Sequence, residues 1–408
     1  MFNIKDKFYD PGTSINLNIN IKQTKIPEEP KIEYGFDEKL NFYRNKIDKI
    51  NPDIWKKVRW YINDYDFLVQ EPIINRAFYK YWEIINEFDI FKTFTDSDII
   101  FHCCEAPGGF IQGSNIYLQL ENFNIPQNHI PNIIDEDGFT TITAKVKQLK
   151  KYKIYSISLN KDLQKYKNYN LPSYNKKILN KNVHITYGKD NTGDINNLNN
   201  INYIKKSICN SDGFYLITAD GGFDEGTEFN NKEQLHYFLI LNEIYSALSL
   251  QKLNGSFILK VFDAFTNTSL HLLYLLNLLY EEIYIYKPKT SRPSNSERYI
   301  ICKGFKGINT EDLSKLKKLS EKLAYQNNKY NSFTLFNKIP ESFVELVKNM
   351  NNQLLIKQTN CLEKAILLCD DYNFITNYEL ELNDSLEKRR IIFKEWEKHY
   401  LLDNFILT

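Results

Sequence analysis

Short apolar runs alternate with stretches of helical period through the middle of the chain, from about residue 66 to residue 306. Strands interleaved with helices form a doubly wound, mostly parallel sheet, and ligands then sit beyond the carboxyl ends of the strands. The pattern therefore predicts an α/β, Rossmann-like fold. The seven candidate strands are DSDIIFHCCEA, KKYKIYSISL, NVHITYG, GFYLITAD, GSFILKVFD, EIYIYKP and RYIICKGF.

The two ends of the chain have different patterns. Residues 1–65 contain Pro11, Pro27 and Pro30 and the alternating run INLNINIKQ, which predicts an N-terminal extension of arm or peripheral strands around the 66–306 domain. Residues 307–408 carry no glycine after Gly307 and follow a helical period, so we expect a C-terminal helical region.

No segment predicts a membrane span or a targeting signal. The most apolar stretch, LHLLYLLNLLYEEIYIY from Leu270, is interrupted by Glu281 and Glu282, and we interpret it as a buried helix followed by a strand. The start, MFNIKDKFYDPGTS, lacks the basic and apolar regions of a signal peptide. We therefore expect no association with a membrane.

Composition narrows the picture only a little. The chain has 408 residues, and its 52 basic and 51 acidic side chains nearly cancel, so a nucleic-acid surface would have to be a local patch. Its 6 cysteines show no CxxC or zinc spacing, which predicts no metal site and a reducing, intracellular compartment. The sequence leaves open whether that compartment is cytoplasmic, such as a viral factory or virion, or nuclear.

One turn, FHCCEAPGGFIQG at residues 101–113, joins a predicted strand to a predicted helix. It is not a P-loop or a dinucleotide fingerprint, because its two glycines are adjacent and Asn160 stands where a ribose-binding carboxylate would be expected. A turn without a phosphate cradle suits S-adenosylmethionine, since glycines let a ligand approach the backbone. Taken alone, it suits a structural turn equally well.

Six segments stand in a fixed order along the chain: NRAFYK (75–80), CEAPGGF (104–110), TGDI (192–195), ADGGF (219–223), ALSLQKLNGSFILKVFDAFT (247–266) and KPKTSRPSNSERYIICKGF (287–305). Together they make the chain resemble the FtsJ/RrmJ-type RNA 2′-O-methyltransferases over roughly residues 70–306. Within that family, it is most similar to the cap-specific mRNA nucleoside-2′-O-methyltransferases of eukaryotes and large DNA viruses.

The resemblance implies a catalytic tetrad of Lys80, Asp220, Lys260 and Glu297. Each is a charged residue at or near the end of an apolar run, where burial is costly unless the charge is paired. Taken singly, each would also fit an ion pair on the rim. Lys260 would either accept the proton of the 2′-hydroxyl or stabilise the developing alkoxide, and no metal is needed in this scheme.

The resemblance also implies where the cofactor, S-adenosylmethionine, binds. The wall around its methionine and ribose would consist of Cys104, Glu105, Ala106, Pro107, Gly108, Gly109 and Phe110. Asp194 matches the acidic position at the donor's adenosine, with Asp190 as a weaker candidate. The alternative for Asp194 is an N-cap of the following helix.

RNA contacts are expected mainly in the loop KPKTSRPSNSE. It would bring Lys287, Lys289 and Arg292 together on the catalytic rim, where they could hold a phosphate, and Asn295 aligns with a substrate-contacting position of the family. A pocket for 7-methylguanine needs aromatic rings and an acid. The candidates for it are Tyr34, Phe36, Phe223 and Glu228, whereas Lys388, Arg389 and Arg390 fit a solvated helix face.

The sequence thus predicts an S-adenosylmethionine-dependent enzyme that methylates the 2′-hydroxyl of the first transcribed nucleotide of capped mRNA. Two alternatives remain open: the same reaction on rRNA or tRNA, and a non-catalytic RNA-binding subunit. Capped mRNA is the expected partner. The sequence does not decide whether the terminal regions also contact capping or transcription machinery.

Overall fold

A computed structural model describes residues 1–3, 17–24, 27–66, 69, 72–123, 151–223, 229–326, 330 and 332–400. Within these ranges the main sheet has eight strands, in the order β1-β8-β9-β7-β6-β3-β4-β5. The strands are β1 (Phe2–Asn3), β3 (Ile99–Cys103), β4 (Lys153–Ile157), β5 (Val183–Thr186), β6 (Phe214–Ala219), β7 (Gln251–Val261), β8 (Tyr280–Tyr286) and β9 (Arg298–Phe305). All seven predicted strands are present, which confirms the Rossmann-like α/β prediction.

The sheet is parallel in its centre and antiparallel at one side. Strands β3 to β7 pair with one another in parallel, whereas β9 runs antiparallel to both β7 and β8. Lys260 near the end of β7 therefore lies opposite Tyr299 near the start of β9. This reversal places the loop before β9 at the carboxyl edge of the parallel strands.

Helices cover both faces of the sheet because each face is apolar. One core contains Phe101, Phe214 and Phe257, and the other contains Ile100, Ile258 and Tyr299. The helices are α1 (Lys39–Ile47), α2 (Pro52–Tyr61), α3 (Arg76–Glu87), α4 (Gly109–Phe123), α5 (Leu198–Ser207), α6 (Lys232–Leu235), α7 (Tyr237–Leu250), α8 (Asn267–Leu279), α9 (Thr310–Gln326), α10 (Glu341–Asp370), α11 (Tyr372–Thr376) and α12 (Tyr378–His399).

The stretch from Leu270 forms α8 followed directly by β8, as the sequence predicted. In the part of the chain that the structure describes, no helix is long and apolar enough to cross a membrane. The C-terminal region is helical, as expected. The three helical patterns identified there correspond to α9, α10 and α12.

The terminal regions pack on each other as well as on the sheet. Helices α1 and α2 contact α10, α2 also contacts α12, and the short strands β2 (Lys22–Thr24) and β10 (Ser332–Thr334) pair antiparallel. The N-terminal residues thus include helices in addition to the peripheral strands that the sequence predicted.

Arg389 contradicts the prediction of a solvated face on α12. Its side chain is buried, and its guanidinium donates to the backbone oxygens of Trp60 and Tyr61 at the end of α2. A cation at a helix C-terminus satisfies free carbonyls and complements the helix dipole. Lys388 and Arg390 are exposed, as expected.

Candidate active site

A cleft of about 1330 Å³ opens over the carboxyl ends of the central strands. It is lined by Asp220 after β6, Lys260 near the end of β7 and Glu297 just before β9. Each side chain lies where an apolar strand ends, because a charged group inside the strand would be buried without solvent. The reversal of β9 is what brings Glu297 to this edge.

The four tetrad residues form two ion pairs. The Lys260 amine lies 3.2 Å from Asp220 Oδ1 and donates to the Asp220 backbone oxygen at 2.7 Å. Lys80, on α3, is not among the described lining residues, and its amine lies 2.7 Å from Glu297 Oε1. Tyr299 donates its hydroxyl hydrogen to Asp220 Oδ1 at 3.1 Å. The structure therefore brings together all four residues that the motifs predicted.

Electrostatics favour the charged forms of Lys260 and Glu297. Burial alone would lower the pKa of the Lys260 amine, but Asp220, Glu297 and Glu243 outweigh it and raise that pKa. Burial alone would raise the pKa of Glu297, but Lys80 and Lys260 hold it lower, at about 2. The sequence left open which effect prevails at Lys260. In the structure it is attraction to the carboxylates, so this amine is an ammonium at neutral pH.

Glu243 is a further acid beneath the site, buried on α7. Its Oε1 accepts a hydrogen bond from the Gly221 backbone N–H at 3.0 Å, and burial raises its pKa to about 8. Glu243 is therefore mostly protonated at neutral pH. The charges of Asp220 and Glu297 then account for most of the attraction on the Lys260 ammonium.

The glycines of the 101–113 turn serve packing rather than open space for a ligand. A Cβ on Gly108 would lie 2.2 Å from Ile178, and one on Gly109 would lie 2.2 Å from Asn75, the N-cap of α3. Glu105 accepts a hydrogen bond from the Phe110 backbone N–H at 2.6 Å. Gly109 thus lets α4 approach α3 closely, and Gly108 lets the turn pack against Ile178.

Only part of the predicted cofactor wall reaches the cleft. Among the described lining residues are Cys104, Ala106 and Asp194, whereas the other members of the predicted wall are not among them. Those residues, for which a cofactor contact stays a prediction, are Glu105, Pro107, Gly108, Gly109 and Phe110. Sequence reasoning missed Ser158 and Leu159, which follow β4 and line the same end.

Asp194 is not the N-cap of the following helix. Asn197 caps α5 by accepting a hydrogen bond from the Asn199 N–H, while Asp194 Oδ1 accepts from the Asn196 N–H at 2.9 Å. Asp190 is held inside its own loop by Thr192 and Asn197. Asp194 therefore remains the better candidate for a ligand.

This end of the cleft fits S-adenosylmethionine chemically. Its described lining includes one carboxylate, a hydroxyl and apolar side chains without a positive charge, and it comprises Cys104, Ala106, Ser158, Leu159, Gly193, Asp194 and Ile195. Such a set suits a cationic ligand with a flat apolar part and hydroxyls, and it does not suit a polyphosphate. Gly193 has φ +70°, and a Cβ there would lie 1.8 Å from the Ser158 backbone oxygen.

The loop before β9 is organised by an inward-turned lysine. Lys287 donates from its amine to Asn295 Oδ1 at 2.8 Å and to the backbone oxygens of Asn295 at 2.9 Å and Glu297 at 2.8 Å. Burial lowers its pKa to about 7. The prediction that three cations share the catalytic rim is therefore wrong. Lys287 is a loop anchor, and Lys289 lines a smaller neighbouring cavity.

Arg292 does line the cleft, together with Asn295. Its Nε lies 3.1 Å and 3.2 Å from the two carboxylate oxygens of Asp66, which also binds Arg76. Asp66 side-chain exposure is only 3%, so it is a fixed anchor. The sequence did not single out Asp66, because nothing local marks a loop acid as the partner of an arginine 226 residues away.

Two further residues of the cleft come from α2. Arg59 and Trp55 both line it, and the Arg59 Nε is buried without a hydrogen-bond partner among the residues that the structure describes. Burial and the nearby Arg292 lower the pKa of Arg59. Two cations thus lie close together on one wall, which favours an anionic ligand there.

Glu83 joins the catalytic helix to two distant segments. This buried α3 residue accepts hydrogen bonds from the Tyr286 hydroxyl at 2.5 Å, the Lys289 backbone N–H at 2.7 Å and the Trp396 indole N–H at 3.1 Å. It therefore ties α3 to the loop before β9 and to α12. Sequence analysis did not single out Glu83, although a glutamate among the apolar positions of a helix could have indicated a buried polar contact.

Two of the four sequence candidates for a 7-methylguanine pocket are not among the described residues that line the cleft. Tyr34 is buried and bonded to Asn267, and Phe36 packs on Phe265. Glu228 lies outside the described residues. Phe223 alone of the four is among the described lining residues.

Comparison with known proteins gives one family match. Residues 73–305 match the family described as FtsJ-like methyltransferase. A ribosomal RNA methyltransferase structure from Plasmodium falciparum has a TM-score of 0.37 and 19% identity, and it covers 57% of this chain and 99% of that one. A TM-score this low supports no conclusion about this chain.

Curated relatives include cap-specific mRNA (nucleoside-2′-O-)-methyltransferase 1A of Caenorhabditis briggsae. It is 34% identical over 189 residues, which are 44% of this chain and 22% of that protein. Cap-specific mRNA (nucleoside-2′-O-)-methyltransferase 1 of Dictyostelium discoideum is 26% identical over 422 residues, which are 99% of this chain and 52% of that protein. The chain thus spans about half of the second relative's length and less of the first.

Proposed function

Because the chain belongs to the FtsJ-like methyltransferase family, we propose that it methylates the 2′-hydroxyl of the first transcribed nucleotide of capped mRNA, with S-adenosylmethionine as donor. The similarity to enzymes named as cap-specific 2′-O-methyltransferases supports this substrate. The family match also confirms the resemblance that the six sequence segments indicated.

One observation carries the proposal. The amine of Lys260 lies in a large cleft at the carboxyl edge of the sheet, paired with Asp220 at 3.2 Å, and Glu297 lines the same cleft. A methyl transfer to a hydroxyl needs a positioned group that stabilises the negative charge developing on the oxygen. The buried and paired tetrad supplies such a group.

The cofactor would be held by Asp194, Ala106 and Cys104 on one side and approached by Asp220 on the other, since all four line the cleft. When bound, it supplies a methyl group on a positively charged sulfur. A nucleophile can bond to the methyl carbon while the sulfur leaves as a neutral thioether. Carboxylates near that charge stabilise it.

Lys260 acts in this scheme as an ammonium. Its raised pKa keeps it charged, so it stabilises the developing alkoxide and does not accept the proton. The proton lost by the hydroxyl passes to a carboxylate, and Asp220 is 3.2 Å from the amine. Lys80 keeps Glu297 ionised, and Glu297 in turn holds Lys80 and favours the charged form of Lys260.

The RNA phosphates would bind along the wall formed by Arg292, Asn295 and Arg59. All three line the cleft, and Asp66 fixes Arg292 from behind. Arginine forms strong charge-assisted hydrogen bonds with phosphate oxygens. This arrangement supports a substrate that carries several phosphates close to the methylated ribose, as the cap does.

A methyl-transfer assay tests the proposal directly. The parent protein is given S-adenosylmethionine with a labelled methyl group and an oligonucleotide with or without a cap, and nuclease digestion then locates the label. We expect label on the first transcribed nucleotide of the capped RNA only. Lys260→Ala should lower the rate at least about 100-fold while donor binding, measured by calorimetry, is retained.

The matched control is Lys252→Ala, at the other end of the same strand. Lys252 also forms an ion pair, 2.7 Å from Asp98, but lies away from the cleft lining. This variant should keep the parent rate. Equal methylation of capped and uncapped RNA would instead favour an rRNA or tRNA substrate. Absence of methyl transfer by the parent would favour a non-catalytic binding role.

A further inference from the structure

Three aromatic rings form a row that begins beside the Lys260 amine. The Phe262 ring centroid is 5.9 Å from this amine, and the His236 ring is 4.8 Å from Phe262. The Phe223 ring lies 4.2 Å from His236 at an interplanar angle of only 8°, so the two are stacked. The row leads from the reacting amine along the cleft wall, which Phe262 and Phe223 both line.

The outermost ring is the accessible one. His236 and Phe262 are buried, whereas Phe223 is 49% exposed within the cleft. A large apolar ring that stacks on a neighbour and is about half exposed gains free energy when a flat ligand covers its exposed part. Nucleobases are flat ligands of this kind, and each of them has a π-face.

The His236 ring supports the Phe223 ring by stacking beneath it, with a fixed orientation and no charge. The His236 Nδ1 lies 2.7 Å from the Lys232 backbone oxygen, which fixes the ring orientation. Burial lowers the pKa of His236 to about 4, so the imidazole is neutral at physiological pH. The stack is therefore already ordered before any ligand arrives, which reduces the entropy cost of binding.

The position of the row indicates which base would stack. A Cβ on Gly222 would lie 3.4 Å from the Lys260 amine, so the backbone just before Phe223 passes directly beside this group. Consecutive Cα atoms are only about 3.8 Å apart. In a nucleotide, the carbon that bears the base is bonded to the carbon that bears the 2′-oxygen. The guanine of a cap, by contrast, is separated from that ribose by three phosphates.

We infer that the exposed face of Phe223 stacks on the base of the nucleotide that is methylated. The inference rests on the proposed function and adds a contact to it. The contact holds the base by stacking and forms no hydrogen bond with the edge of the base. Because a phenyl ring offers no hydrogen bond, purines and pyrimidines should both be accepted. Sequence analysis had named Phe223 only as one of four candidates for the 7-methylguanine pocket.

The test compares capped oligonucleotides that carry a base, or an abasic ribose, at the first transcribed position. Binding is measured by fluorescence anisotropy in the presence of the demethylated cofactor, so that no turnover occurs. We expect the parent to bind the base-bearing RNA roughly 5- to 150-fold more tightly than the abasic RNA. Phe223→Ala should bind both RNAs with equal, weak affinity, and Phe223→Trp should behave like the parent.

The matched control is Phe42→Ala, because Phe42 is 54% exposed on α1 and is not among the described residues that line the cleft. It should leave both affinities unchanged. Thermal unfolding should give all variants the parent midpoint, since Phe223 and Phe42 are both largely exposed. An effect of Phe223→Ala through misfolding would appear there.

Two outcomes would overturn the inference. The first is a Phe223→Ala variant that still distinguishes base-bearing from abasic RNA as the parent does. The second is a loss of affinity in Phe223→Ala that is as large for abasic RNA as for base-bearing RNA but is absent when the cap lacks its 7-methyl group. That result would assign the Phe223 ring to the cap guanine. A parent that binds capped and uncapped RNA alike would refute the proposed cap specificity, whereas loss of base discrimination in Phe223→Ala would still support the stacking contact.

Discussion

Replacing Asp220 with asparagine tests whether Lys260 works as a cation. The two side chains are 12% and 16% exposed, and their charged atoms are 3.2 Å apart. At that distance Coulomb's law gives roughly 1 kcal/mol in a water-like dielectric and roughly 5 kcal/mol at an effective dielectric constant of about 20. Asp220→Asn removes this attraction and should therefore lower the Lys260 pKa.

The fold should tolerate this change. The Lys260 amine also donates to the backbone oxygen of residue 220 at 2.7 Å, and the asparagine oxygen can still accept from Tyr299. The amine therefore stays in place while its proton becomes easier to lose. This separates the protonation state of Lys260 from its position.

The assay is the pH dependence of kcat at saturating RNA and donor. In the parent, whose Lys260 pKa is raised, we expect kcat to be level between about pH 7 and 9.5. In Asp220→Asn, kcat should be lower at pH 7, partly because the variant lacks the carboxylate that accepts the hydroxyl proton. It should then fall further with rising pH, and this fall reports the loss of the Lys260 ammonium. Asp98→Asn, which breaks the ion pair with Lys252 at the far end of β7, is the control and should keep the parent profile.

A neutral-amine base would give the opposite result. The parent kcat would then rise about tenfold per pH unit across the same range, and Asp220→Asn would be faster than the parent at pH 7. Either observation would refute the assignment of Lys260 as an electrostatic stabiliser.

Two further substitutions test the wall and the framework of the site. Arg292→Ala should weaken capped-RNA binding by about 1 to 3 kcal/mol and flatten its salt dependence without changing donor affinity, and Asp66→Asn should do the same more weakly because it removes only the anchor. Unchanged RNA affinity in both variants would contradict a phosphate contact. Glu83→Gln should lower the free energy of unfolding by about 1 to 3 kcal/mol in urea titrations, since it replaces one of the two acceptor oxygens with an NH2 group that faces buried donors. Trp396→Phe removes one of those donors and should cost less. Equal stability of Glu83→Gln and the parent would refute that network.

Much of the fold could be predicted because the relevant signals are local. Each of the seven apolar runs is short and bounded by turn or charged residues, and each forms a strand. The continuous apolar stretch from Leu270 divides into α8 and β8 where the pattern changes. Helices α1 and α2 were not predicted, because their stability comes mainly from packing on α10 and α12.

The sequence by itself determined which charged groups stand at the ends of strands, and so the chemistry available at one edge of a sheet. Lys260 follows an apolar run and Asp220 follows another, and a parallel sheet places both ends at the same edge. That β9 runs antiparallel to β7 was decided only by the tertiary structure. It alone places Glu297 beside this edge and within reach of Lys80.

Tertiary structure also decided which cations are free to meet a ligand. Lys287 and Arg389 look like surface charges in the sequence, yet one is bonded to backbone oxygens of its own loop and the other to those of α2. The charge state of Lys260 was likewise undecided, because desolvation lowers an amine pKa and nearby carboxylates raise it. These outcomes depend on distances between residues far apart in the chain and on the dielectric around them, and neither quantity is written in the local pattern of residues.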